Sequence, residues 1–198
     1  SLDSTLLEPF RGRGMAVASM HPLVSISEPL AGSEMLEGKY FCIEGDERAA
    51  TAACELARTI GGKPFTIDTK FKPLYHASAV MAAGNMAALF NMAAEMLAMC
   101  GVDRAAAGEM LMPLTESALR NINGLQPGEG LTGSFARFDG AAFDRHLASI
   151  DQHISPEIRE AFILLGEYTA GIKAAAEGSE NEAAELLKKI KIAKGFGE

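Results

Sequence analysis

Apolar positions in the first third of the chain come in short runs. "GMAVAS" (residues 14–19) and "KYFCIEG" (39–45) each read as a buried strand, the second rich in aromatic and β-branched residues. Between the second run and "KPFTIDT" (63–69) lies "GDERAATAACELARTIGG". Its apolar spacing is helical, with Asp46 as cap, Glu47 at the positive end of the dipole and Gly61-Gly62 as the stop. Strand, helix, strand is the rhythm of a parallel sheet, with too few strands for a complete doubly wound domain. From Lys72 onward the alternation disappears. Pro73 opens a helix that runs to Cys100 and stops at Gly101, and Asp103 caps a second through about Asn123. The loop "GLQPGEGLTGSFARFD" follows, then a helix capped by Asp139 through about His153, and another opened by Ser155-Pro156-Glu157. "SENE" reads as a capping box for the last helix, whose early Glu182 and Glu185 and late Lys188, Lys189, Lys191 and Lys194 complement its dipole. The expected organisation is an α/β fragment over residues 1–70 followed by an all-α domain of about five helices over 71–198, without internal repeats.

Composition narrows the function classes. The chain has 198 residues, 48% of them hydrophobic and 22% charged, as in ordinary globular domains. Its net charge of -8, with no basic stripe, argues against nucleic acid. Cys42, Cys54 and Cys100 are widely spaced and odd in number, which disfavours a disulfide framework or a zinc site and fits a reducing cytoplasm. No metal site is expected, and the N-terminus lacks the pattern of a signal peptide. No formal charge lies between Lys72 and Glu95, a length that could cross a bilayer. His76, Ser78, Gly84, Asn85 and Asn91 interrupt that stretch, so a non-membrane helix buried on most sides is the expectation.

Four stretches carry candidate chemistry, each with a plainer reading beside it. "GRGMAV" (12–17) has two glycines of a dinucleotide fingerprint, but they precede a strand instead of following one, so no pyrophosphate-binding loop is expected. In "FKPLYHASAVMAAGN" (71–85), Lys72 and His76 are four apart and share a helix face. His76 and Asn85, nine apart, fall on opposite sides of a straight helix. The plainer reading makes Lys72 solvated, His76 a core histidine and Asn85 a helix-pair contact. In "LTGSFARFDGAAFDRH" (131–146), Arg137 is the residue type for carboxylate or phosphate recognition; a surface Arg137–Asp139 pair is the rival. Asn121 and Asn123 end the helix upstream, where C-capping explains them equally well. Finally, "MHPLVSIS" (20–27) follows the first strand, so His21 and Pro22 lie where open sheets collect ligands, or else in a proline-fixed turn.

Taken together, "HPLVSIS", "IEGD", "KPLYHASAVMAAGN", "PLTESALRNI" and "LTGSFARFDGAAFDRHL" resemble a bacterial family of Rossmann-like NADP oxidoreductases with a C-terminal helical domain of unknown function. That family is similar to deazaflavin-dependent NADP reductases at the front and to 6-phosphogluconate dehydrogenase-type helical domains at the back. The resemblance implies a partial Rossmann-like α/β piece plus a helical domain that supplies a substrate pocket and a dimer interface. It implies Lys72, His76 and Asn85 as candidate catalytic residues, and Asn121, Thr132, Arg137, Asp139 and His146 as substrate-binding. His21 and Pro22 would lie on the cofactor side, with NADP as cofactor of the full-length protein. Two departures stand out: Ser134 replaces a proline after Thr132-Gly133, and Phe138 separates Arg137 from Asp139, where it would reshape or fill a pocket. The family's opening strand and glycine-rich loop are missing from these residues, so the chain alone is expected neither to bind NADP well nor to be active. The alternative is a non-catalytic dimerisation and small-ligand-binding module. A homodimer is expected through the helix from Pro73 to Cys100, rich in small residues such as Ala79, Ala82, Ala83, Gly84 and Ala87.

Overall fold

The computed structural model describes residues 2–26 and 32–195; Ser27, the last residue of the HPLVSIS motif, lies outside them. Two compact units are present, Ser1–Ala88 and Leu89–Glu198, dividing within a helix. The domain boundary expected from sequence, at residues 70/71, falls where that helix begins.

In the first unit, a short helix α1 (Glu8–Arg11) precedes strand β1 (Ala18–Pro22). Strand β2 (Tyr40–Gly45), helix α2 (Glu47–Thr59) and strand β3 (Lys63–Thr66) follow. The strands lie in the order β1-β2-β3, with β2 and β3 parallel across α2 and β1 antiparallel to β2. This is the Rossmann-like fragment the sequence implied, with two shifts. The first strand begins at Ala18 instead of Gly14, because Val17 is tied off elsewhere: its N–H donates to Asp46 Oδ2 at 2.9 Å and its carbonyl accepts from Asp46 N at 2.8 Å. For the same reason Asp46 occupies the N-cap position of α2 without capping it through its side chain. The Val17 N–H, then Arg11, holds the Asp46 carboxyl below its ordinary value. Gly45 closes β2 with φ 131°, a conformation open to glycine, and a Cβ there would collide with the Val17 carbonyl. Phe41 and Ile43 point to one face of β2 and pack with Ala57 of α2 into the core of this unit.

A long helix spans Thr69–Met99. It comprises α3 (Lys72–Val80), a π-helical turn at Met81–Asn85 and α4 (Met86–Met99). The straight-helix geometry that sets His76 and Asn85 on opposite sides therefore does not apply, because one π turn inserts about one residue into the helical period. By length and composition the helix could cross a bilayer, with a mean hydropathy of 1.3 over its most apolar window. Only 6% of that window is buried within the chain, where sequence predicted burial on most sides. The covering was inferred from apolarity, and apolarity does not say whether the cover comes from the same chain.

The second unit contains the end of α4 and helices α5 (Arg104–Ile122), α6 (Gly140–His153), α7 (Pro156–Glu177) and α8 (Glu180–Ala193). Asp103 caps α5 and Asp139 caps α6 through their carboxylates, as their spacing predicted. Ser179 stands at the start of α8 but makes no side-chain cap, and its buried hydroxyl has no partner among the described residues. Phe143, Ile163, Ala170, Leu186 and Ile190 form the core between α6, α7 and α8. Gly166 on α7 lets the Phe135 ring lie directly on the helix, and a Cβ would overlap that ring. Gly166→Ala should therefore destabilise the chain by about 1–3 kcal/mol, read from the urea midpoint, although alanine is the better helix former. A midpoint that rises would mean the ring has room to move.

Candidate functional site

The side chains of β2 alternate, so Cys42 and Glu44 face away from the α2 core. The sheet register places His21, Cys42 and Phe65 side by side across the three strands. Over this row runs the first turn of α3, introduced by Asp68, whose carboxylate accepts from Lys70 N, and by Pro73 at the helix start. Lys72, Tyr75 and His76 project from it at helical spacings of three and four.

Lys72 is completely buried. Its Nζ lies 4.0 Å from Cys42 Sγ and 5.6 Å from the centroid of the Tyr75 ring. Among the described residues no carboxylate forms an ion pair with it. The plainer reading of a solvated lysine is thus overturned. The neighbouring buried carboxylate, Glu44, is engaged by Ser4 N at 3.0 Å, Ser4 Oγ at 2.7 Å and Thr69 Oγ1 at 2.8 Å. Burial raises the pKa of the Cys42 thiol, and Glu44 adds to this, against the opposing effect of Lys72.

His21 Nδ1 and the Tyr75 hydroxyl are 3.0 Å apart. The His21 ring meets both Tyr75 and His76 edge-on, with centroids 5.7 Å apart in each case. His76 Nδ1 is buried with no hydrogen-bond partner among the described residues. Burial lowers the His21 pKa below its ordinary 6.5, followed by the charge of Lys72 and the His76 ring; burial also raises Tyr75. A folded-state histidine pKa below the unfolded one means that the unfolded chain binds the extra proton first. This contribution to stability is complete above pH 6.5 and declines as pH falls through that value towards the lower folded one. Denaturant midpoints measured between roughly pH 5 and 8 should show the decline, and His21→Gln should flatten it. An unchanged slope in the variant would locate the titration elsewhere.

Beside this cluster is a cavity of about 450 Å³ whose walls include His21, Leu23, Ser25, His76, Ser78 and Gly84. His21 lies within β1 and not in a turn after it, and Pro22 ends the strand opposite Phe41. Asn85 is exposed at the end of the π turn and is absent from the described cavity wall. Gly12 and Gly14 lie between α1 and β1, so the described residues hold no strand–glycine–helix cradle for a pyrophosphate.

The remaining sequence candidates belong to the second unit. Asn121, Thr132, Arg137 and His146 are exposed; Asp139 accepts from Ala142 N at 2.8 Å, and the His146 ring meets Phe162 edge-on. Phe138 adopts a left-handed φ of 56° and packs against the core of this unit. A second cavity of about 490 Å³ includes Met96, Cys100 and His153, whose polar atoms are engaged locally, Cys100 with Met96 O and His153 with Ser149 O. Sequence reading missed Tyr75, Cys42 and Glu44. The signals were present: Tyr75 is three residues after Lys72, and Cys42 and Glu44 share one face of an otherwise apolar strand.

No curated protein matches the chain in sequence. Its fold is similar to that of protein TM1727 from Thermotoga maritima, with a TM-score of 0.69 at 24% identity over 81% of this chain and 63% of that one. It is also similar to a proposed NADP oxidoreductase, BF3122 from Bacteroides fragilis, with a TM-score of 0.68 at 19% identity over 86% of this chain and 62% of that one. The chain thus spans less than two thirds of either relative. Residues 39–169 match a single family profile, that of a domain of unknown function, DUF2520, and cover well over half of the sequence. They include β2 with its buried Cys42 and Glu44, Lys72 with its neighbours on α3, and the capped start of α6, so the chain belongs to the DUF2520 family.

Proposed function

We propose that the chain is the C-terminal portion of an NAD(P)-dependent oxidoreductase. The observation that carries this reading is the wholly buried Lys72, which has no ion-pair partner among the described residues, beside the His21–Tyr75–His76 cluster. A buried cation is costly, and an oxygen that gains negative charge during carbonyl reduction is a natural counterpart for it. Lys72 serves as proton donor or as electrostatic stabiliser of that oxygen. His76 and Asn85 orient the substrate, and Arg137 takes an acidic group of it. Asn121, Thr132, Asp139 and His146 complete the substrate contacts, and His21 and Pro22 lie towards the cofactor. NADP, the source of hydride when bound, belongs to a nucleotide-binding half outside these residues, since the described residues hold no pyrophosphate cradle. NADPH titration of this chain followed by fluorescence should give no binding at micromolar concentrations. In a longer protein carrying the nucleotide-binding half, Lys72→Ala should lower kcat by about 10²- to 10⁴-fold. Unchanged turnover would remove Lys72 from the chemistry.

A homodimer is the second part of this reading. Leu74, Val80, Met81, Met86, Leu89 and Met99 are exposed along the long helix, more apolar surface than a lone monomer comfortably shows to water. A second copy packing on the small residues of the same helix would cover them, in the cytoplasm as in solution. Sedimentation equilibrium should return a dimer; a monomer at high concentration contradicts this part.

A further inference from the structure

We propose that the 450 Å³ cavity beside β1 and α3 takes an uncharged, mostly apolar moiety bearing a carbonyl or hydroxyl oxygen, and that His21 Nε2–H donates to that oxygen because Tyr75 fixes the histidine tautomer. The wall supplies the first half of the case. Among the described residues lining it there is no Asp, Glu, Lys or Arg; the polar groups are two imidazoles and two serines, and the rest is apolar. Ser78 Oγ already donates to Tyr75 O at 2.7 Å, so its hydrogen is committed. Among the described residues of this wall a charged group would meet no opposite charge. An oxygen on an apolar skeleton needs one donor, and His21 is among the residues that line the space.

The second half concerns where the imidazole proton sits. A phenol is a good hydrogen-bond donor and a poor acceptor, and a neutral imidazole nitrogen is a good acceptor. At 3.0 Å the Tyr75 hydroxyl therefore donates to His21 Nδ1, which leaves the proton on Nε2. The surroundings hold both groups in the required states. Burial and the nearby Lys72 ammonium disfavour an imidazolium at position 21, and burial keeps the Tyr75 proton in place. His76 Nδ1, buried and unmatched beside the same ring, offers no competing partner for Nδ1 of His21. Tyr75 thereby acts as a positioning residue through His21. The proposal leans on the oxidoreductase reading for its chemistry, since carbonyl and hydroxyl are the couple that hydride transfer interconverts. Its test needs neither cofactor nor turnover.

The test is nitrogen NMR of the 198-residue chain carrying labelled histidine, with the His21 signals assigned by their loss in His21→Gln. Near neutral pH, His21 should show a protonated Nε2 and an unprotonated Nδ1. Cyclohexanone should shift the Nε2–H signal, and cyclohexanecarboxylate at the same concentration should not. Tyr75→Phe should mix the tautomers and weaken cyclohexanone binding about three- to tenfold, the equivalent of one hydrogen bond. Protonation at Nδ1, a doubly protonated ring, no shift with either probe, or carboxylate binding as tight as that of the ketone would each overturn the proposal. Should Tyr75→Phe not fold, the tautomer and the probe pair in the unmodified chain still decide it. Ketone binding together with a turnover-insensitive Lys72→Ala would leave this site standing and the oxidoreductase reading refuted.

Discussion

Truncating Phe143 to alanine should cost the chain about 3–5 kcal/mol, read as a fall in the urea midpoint followed by far-ultraviolet circular dichroism. The side chain is 2% exposed at the centre of the α6–α7–α8 core. Its ring lies parallel to Phe162, with centroids 6.4 Å apart, and meets Phe135 edge-on at 6.1 Å. Removing it forfeits the transfer free energy of the ring and opens a cavity that two other aromatics would have to collapse into. Phe135 cannot move freely to fill it, because it already lies hard against Gly166. The upper part of the range is therefore expected. A loss below about 1 kcal/mol would show that this core relaxes readily, and would also weaken the expectation for Gly166→Ala. Phe10→Ala is the contrast: that ring is 46% exposed and should change the midpoint little.

What could be read from the sequence was what depends on near neighbours. Asp103 and Asp139 cap helices because a carboxylate reaches a backbone N–H two or three residues on, and that reach is set by the chain itself. Strand β2 was legible from its own six residues. The failures are long-range. Asp46 should cap α2 by the same local rule, yet Val17 and Arg11, distant in sequence, claim its carboxylate and displace the start of β1 with it. The π turn at Met81–Asn85 contains Gly84, but one glycine inside a helix does not by itself announce an inserted residue. It rotates Asn85 relative to His76 and removes the straight-helix basis for placing them on opposite faces. At the candidate site, Lys72 and His76 were visible as a pair four residues apart. Their setting was not, because burial of Lys72 depends on Cys42, which lies thirty residues earlier on a strand. The His21–Cys42–Phe65 row likewise exists only through the register of three strands.

Lys72→Met should leave the chain folded and raise its stability by about 1–4 kcal/mol, by analogy with the gain when buried ion pairs are replaced by apolar groups of similar volume. Methionine matches the length of lysine, is unbranched, and places a polarizable sulfur beside the Tyr75 ring and the Cys42 thiol. It gives up little: the hydrogen-bond contact of the ammonium among the described residues is a sulfur at 4.0 Å, a weak acceptor, and the Glu44 carboxylate is occupied by Ser4 and Thr69. Lys72→Ala, by contrast, leaves a cavity, so the two variants should diverge in the urea midpoint although both remove the charge. A Lys72→Met chain less stable than the parent by more than about 1 kcal/mol would mean the ammonium is structural, held by the summed field of Glu44 and its neighbours. A more stable one would mean the fold keeps a lysine where an apolar side chain fits better. Such a cost is sustained where an unpaired charge is needed for what binds beside it, which links the stability of this one position directly to the proposed oxyanion role.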